Sequence, residues 1–174
     1  MRTVVLVGTA HKFQLPSHGS CVEGIDKFRH AVRELCNRHN VLAISEEMSV
    51  GALQENGVSE SVAQQICADF HLCHQFSDPT LEERWKLGIR QDNDIRASHF
   101  FDKWTNEQIE ADVLARGSAA SDPIREKYWL HRIQELDKWP ALFICGANHF
   151  IAFKALLIDA GIEVIEGYRD WEPT

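Results

Sequence analysis

Three short runs of this chain have no polar face: Val4-Val5-Leu6-Val7, Val41-Leu42-Ala43-Ile44 and Ala141-Leu142-Phe143-Ile144-Cys145. A strand with one face in water alternates apolar and polar residues. A strand that is apolar throughout is covered on both sides, as in a parallel sheet. Parallel strands need crossover connections, usually helical. The first interval supplies one, because Ile25, Phe28, Val32, Leu35 and Cys36 fall on a single helical stripe that ends at residues 37–40. Strand, helix and strand over residues 3–45 therefore read as a βαβ unit, with Glu46 and Glu47 at the end of its second strand. Near the other end, a strand over Ala141–Cys145 leads into a helix over Phe150–Ala160 that Gly161 stops, followed by a fourth strand over Ile162–Ile165.

Helical signals dominate the middle. Val62, Ile66 and Phe70 predict a helix starting near Ser59, and Thr80 with Glu83, then Thr105 with Gln108, form capping-box patterns. Gly117 reads as a helix stop. Asp122-Pro123 opens a further helix with Pro at its first position and Trp129, Ile133 and Leu136 on its apolar side. Residues 88–102 show no period and read as a loop or a short irregular helix. No Pro/Gly/Ser-rich linker divides the chain. The expected architecture is one α/β domain over residues 1–174. It has a mainly parallel four-stranded sheet of order 2-1-3-4 and a helical insertion at about 59–138, between the second and third strands.

Several function classes fall away on composition. The net charge is −8, whereas bulk nucleic-acid binding is driven by basic surfaces that neutralise phosphates. The five tryptophans come without a basic stripe and read as packing residues. The five cysteines are an odd number with no Cys-x-x-Cys pair, which is not a disulfide framework. No apolar stretch approaches the roughly 20 residues that span a bilayer, so a cytoplasmic protein without membrane contact is expected, with oligomerisation left open. The chain holds no Gly-x-Gly-x-x-Gly, no Gly-Lys-Ser/Thr phosphate loop and no Gly-x-Ser-x-Gly elbow.

One pattern occurs twice, and both times at a strand end. Gly8-Thr9-Ala10-His11 follows the first strand and Gly146-Ala147-Asn148-His149 follows the third. Open α/β sheets bind ligands at their C-terminal edge, at the point where the strand order reverses, and that edge receives both histidines and the Glu46-Glu47 pair. Two His and one Glu are a common set for a catalytic divalent metal that keeps a position open for water. The metal set expected here is His11, Glu46 and His149, holding manganese, cobalt or zinc. Without a metal, a His and a Glu serve as general base and acid. Glu46 is preferred over Glu47 for the inward position, although strand alternation alone does not decide between them. Gly8, Gly146 and Asn148 are expected to line any bound cofactor.

With a strand-end glutamate between them, the two Gly-x-x-His motifs resemble the TraB/Tiki-type domain, a group related to erythromycin esterase-like proteins. The resemblance covers roughly Thr3–Glu47 and Pro123–Gly167 and leaves the middle uncovered. It implies either a metal-dependent peptidase or an esterase whose histidine works without metal, with His11, Glu46 and His149 as the site. It also implies a role for Arg125, which stands where such proteins carry an arginine; a surface salt bridge is the other reading of that residue.

The leading expectation is a hydrolase of ester, amide or phosphoester bonds acting on a small-molecule or peptide substrate. The alternatives are a non-catalytic small-ligand sensor using the same crevice, or a regulatory subunit docking through its helical middle. Three further groups qualify as candidates. Cys67, His71, Cys73 and His74 supply soft ligands but match no standard zinc module. Arg90 to Arg96 form a polar stretch able to meet an anionic group through arginine. His18 lies in the loop after the first strand.

Overall fold

The computed structural model describes residues 1–16 and 22–173. His18 and Cys21 lie outside the described residues. Five strands make one sheet: β1 (Thr3–Thr9), β2 (Ala43–Glu46), β3 (Cys73–Phe76), β4 (Ala141–Gly146) and β5 (Glu163–Trp171). All pairings are parallel and the spatial order is β3-β2-β4-β1-β5. The expected α/β class and parallel sheet are present, with two corrections. The sheet has a fifth strand, β3, inside the segment read as a helical insertion. In addition, the order is not 2-1-3-4: β2 pairs with β4 rather than with β1, so the strand at 141–146 separates the first two, and β5 pairs with β1 rather than with β4.

Helices cover both faces, as the unbroken apolar runs require. Val5, Val7, Leu142 and Ile144 pack with α1 (Val22–His39) and α3 (Val62–Phe70) on one side. Val4, Leu6, Phe143 and Cys145 pack with α7 (Ser118–Leu136) and α8 (Phe150–Asp159) on the other. Strand alternation thus sorts successive residues into two separate cores. Between β2 and α3 lies the short α2 (Val50–Glu55), and the rest of the middle is α4 (Leu81–Leu87), α5 (Asp92–Ser98) and α6 (Asn106–Arg116). The capping boxes at Thr80/Glu83 and Thr105/Gln108 are formed as expected, and a third, Ser61/Gln64, starts α3.

Gly117 ends α6, but α7 begins at once with Ser118, so Pro123 sits inside that helix rather than at its first position. The polar stretch at 90–96 is largely the helix α5. β5 runs on to Trp171, past the expected end at Ile165, with two register shifts against β1. Among the described residues, no helix is long and apolar enough to cross a membrane.

Candidate functional site

β1 and β4 lie side by side, with Thr9 paired to Gly146 at their C-terminal ends. The chain leaves β1 toward α1 on one face of the sheet and leaves β4 toward α8 on the other. This is the crevice in which open α/β sheets place ligands. Each strand end runs into a short 3-10 turn that carries its histidine, His11–Phe13 after β1 and Ala147–His149 after β4. The cavity between them has a volume of about 610 Å³, and His11, Glu47, Asp122, Arg125, Asn148 and His149 are among its lining residues.

Glu47 is the carboxylate at the centre. Its Oε1 stands 3.7 Å from His11 Nε2 and 3.6 Å from His149 Nε2. Oε1 also accepts from Arg125 Nη2 at 2.6 Å, and Oε2 accepts from the Gly146 backbone N–H at 2.7 Å. Glu46 points the other way. Two residues from Ile44, it shares the α1–α3 face of the sheet, where it is fully buried and bonded to Ser61 Oγ and, at 2.8 Å, to His74 Nε2. The expected set of His11, Glu46 and His149 is therefore not brought together, whereas His11, Glu47 and His149 are.

His149 is held from behind. Its Nδ1 lies 3.0 Å from Glu126 Oε1, and its ring meets the edge of the fully buried Trp129 at a centroid distance of 4.9 Å. Nε2 faces the crevice, with Asp122 Oδ1 at 3.8 Å in addition to Glu47. Burial opposes a charge on the ring, but the bond to Glu126 and the fields of Glu47 and Asp122 prevail and raise the His149 pKa. Burial likewise raises the Asp122 carboxyl, against the pull of His149 and Arg125. His11 is half exposed, and its Nδ1 lies 3.4 Å from Gln14 Nε2.

Arg125 is no surface cation. Its side chain is 14% exposed, bonds Glu47 and Asp78, and forms a looser ion pair with Asp122 at 3.5 Å. Burial works against its charge, yet Asp78 and Glu47 drive its pKa up. Asp78 is the shared anchor, accepting from Arg125 Nε at 3.0 Å, Trp129 Nε1 at 3.1 Å and Arg84. Sequence reasoning missed Asp78, Asp122 and Glu126. A signal existed for two of them, since Asp122, Arg125, Glu126 and Trp129 occupy i, i+3, i+4 and i+7, one stripe of α7 facing the sheet edge.

The two glycines differ in purpose. Neither is there for a left-handed turn: Gly146 has φ −60° and ψ 141°, ordinary extended backbone. A Cβ on Gly146 would lie 2.7 Å from Asn148 Oδ1, 3.3 Å from His11 Nε2 and 3.4 Å from Glu47 Oε2, so the missing side chain makes room for the site. A Cβ on Gly8 would meet the Arg169 carbonyl oxygen at 2.2 Å, so that residue serves the close approach of β5 rather than a ligand. Asn148 is exposed at the cavity rim.

No family model, no curated protein and no solved structure matches this chain.

A metal would have to displace existing bonds here. Both Glu47 oxygens are engaged, one by a guanidinium and one by a backbone N–H, and a cation at Oε1 would sit against Arg125. Among the described residues, no group of three or more His, Cys, Asp or Glu is arranged to hold a metal ion. The donor set as built does not fit one. The second candidate cluster is dispersed as well: Cys67 Sγ donates to the Cys73 carbonyl at 3.4 Å, His74 turns to Glu46, and His71 is the exposed C-cap of α3.

Proposed function

We propose that the crevice is a hydrolytic site that works by histidine proton transfer without a metal, on an ester or a related acyl or phosphoryl bond. The observation that carries this reading is the buried Glu126–His149 pair, whose free Nε2 faces His11 Nε2 across Glu47. With its proton on Nδ1, toward Glu126, neutral His149 presents the Nε2 lone pair to the crevice, the tautomer a general base needs. The distances of 3.6–3.8 Å from Nε2 to the facing carboxylates are too long for direct hydrogen bonds and leave its lone pair for a water entering from the cavity that His149 lines.

In the proposed step, His149 Nε2 takes a proton from that water as its oxygen bonds to the acyl carbon. The bond to the leaving group breaks, and His11, on the solvent side, donates a proton to the departing oxygen. Glu47 places a negative charge between the two rings, and Arg125 fixes Glu47. The resemblance to esterases that use histidine without metal agrees with this assignment.

The test is a panel of 4-nitrophenyl esters, a phosphodiester and short peptides, assayed with and without a chelator. We expect turnover that is insensitive to chelator and falls about 10²–10⁴-fold in His149→Ala, the usual worth of a positioned general base. His11→Ala should also lose rate, and both variants should keep their circular dichroism. Manganese, cobalt or zinc should leave the melting temperature unchanged. Full activity in both single variants would sink the hydrolytic reading, and a co-purifying organic ligand without turnover would favour a small-ligand sensor. Activity abolished by chelator and restored by a metal would return the site to metal chemistry.

A further inference from the structure

A second pocket of about 340 Å³ opens beside the crevice and shares Arg84, Asp92, Ser118 and Arg125 with its lining. Four arginines border it, Arg84, Arg90, Arg96 and Arg125, against the single carboxylate of Asp92. Three of the four are already paired within the protein. Arg84 bonds Asp78, Arg125 bonds Asp78 and Glu47, and Arg96 holds Glu110 through two bonds of 2.9 Å. Asp92 spends Oδ1 on the Ser118 backbone N–H at 2.7 Å, which lowers its pKa and keeps it ionised.

Arg90 differs. Its guanidinium lies over the Trp85 ring, 3.9 Å from the centroid, and its Nη1 is buried without a hydrogen-bond partner. Among the described residues, no carboxylate pairs with it. Stacking on an indole fixes the plane of a guanidinium without neutralising it. A buried, unpaired N–H of a cation costs free energy until an acceptor satisfies it, and a planar fork of donors suits a carboxylate or a phosphate.

We propose that this pocket binds an oxyanion, the carboxylate or phosphoryl group of the substrate, with Arg90 as its principal ligand and the scissile bond reaching His149 in the adjoining crevice. The proposal rests on the hydrolytic reading for the word substrate and on the arginine pocket alone for anion binding. It makes an anionic ester the substrate class.

Titration calorimetry with inorganic phosphate and with succinate, each against sodium chloride of equal ionic strength, tests it on the whole chain. Binding of at least one probe is expected, weakened tenfold or more in Arg90→Met, which keeps an unbranched side chain against Trp85. His149→Ala, outside this pocket, should bind within twofold of the unaltered protein. The tighter of the two probes tells a phosphoryl group from a carboxylate. Should Arg90→Met fail to fold, Glu110→Gln replaces it; releasing Arg96 should then tighten binding severalfold. No binding beyond that of chloride, an unaltered affinity in Arg90→Met, or no tightening in Glu110→Gln overturns the proposal. In kinetics, Arg90→Met should raise KM for mono(4-nitrophenyl) succinate while sparing 4-nitrophenyl acetate. If no ester is turned over but phosphate still binds through Arg90, the hydrolytic reading fails and the anion site stands.

Discussion

His149 stands between carboxylates with different tasks. Glu126, behind it at 3.0 Å, sets the tautomer, and Glu47 and Asp122, in front at 3.6 and 3.8 Å, bias the charge. Burial alone would push the ring toward its neutral form, but the carboxylates outweigh it and the pKa rises above its ordinary 6.5. A base must be deprotonated to act, so the acidic limb of the kcat/KM profile should climb with pH and reach half its height above 6.5. Glu126→Gln keeps the size of the side chain and removes its charge. We expect the midpoint to move down in that variant and kcat to fall roughly tenfold or more, up to ~10⁴-fold if the tautomer is lost. A loss of stability with an unmoved pH profile would reduce Glu126 to a structural part. Residue 47 carries a second lesson at this scale. Two adjacent glutamates end β2, and only knowledge of which helix covers which face tells them apart: Ile44 packs with α1 and α3, so Glu46 turns to that face and Glu47 to the side of α7.

Among the elements, β1 and β4 end in the same four-residue pattern yet depend on it differently. Gly8→Ala would set a methyl group 2.2 Å from the backbone oxygen of Arg169 in β5, and a carbonyl in a paired strand cannot step aside alone. We expect a loss of about 1–3 kcal/mol in urea unfolding, the usual scale of overpacking. Gly146→Ala meets only side chains, the tightest of them the exposed Asn148, so its stability should change by less than that of Gly8→Ala. Its effect should fall on turnover, because His11 and Glu47 must each give way by a few tenths of an ångström. Equal stability losses in the two variants would contradict this division. The βα pattern at the two ends of the chain was readable because apolar runs and helical stripes are local signals. Strand β3 was not: Cys-His-Gln-Phe is four residues long, lies at the sheet edge and carries no alternation, so its strand character comes from pairing with β2 rather than from composition. The strand order was hidden for a similar reason, since nothing near residue 141 records that β4 will insert between β1 and β2. The site was half readable. Both histidines and Arg125 stand in recognisable patterns, whereas Asp78 follows a strand that only the fold reveals.

For the molecule as a whole, charge placement sets a pH window that stability and turnover enter from opposite ends. His149 and His99 both have raised pKa values. His99 is lifted by its bonds to Asp112 and Asp102, at 2.8 and 2.7 Å, against the cost of burial. A histidine whose folded pKa exceeds its unfolded value stabilises fully below the unfolded value, and that stabilisation is lost as pH rises through the folded one. Carboxylates behave in reverse. Asp112, held at about 2 by Arg116 and His99, and Glu83, lowered by its bond to Tyr128, stabilise above their ordinary values of 3.8 and 4.5 and lose that contribution as pH falls. The melting temperature should therefore be highest between about pH 4.5 and 6.5 and decline on both sides. On the alkaline side, the proton whose loss removes the stabilising charge from His149 is the same proton whose loss makes it a base, so kcat/KM should rise across the interval in which the melting temperature falls. Calorimetry and rate measurements in one buffer series check this directly. Replacing His99 with Gln should flatten part of the alkaline decline and leave the rate profile in place, since His99 lies outside the crevice lining. Replacing His149 with Gln should flatten the remainder and cut turnover by about 10²–10⁴-fold. An alkaline decline unchanged in the double variant would show that neither imidazolium contributes to it.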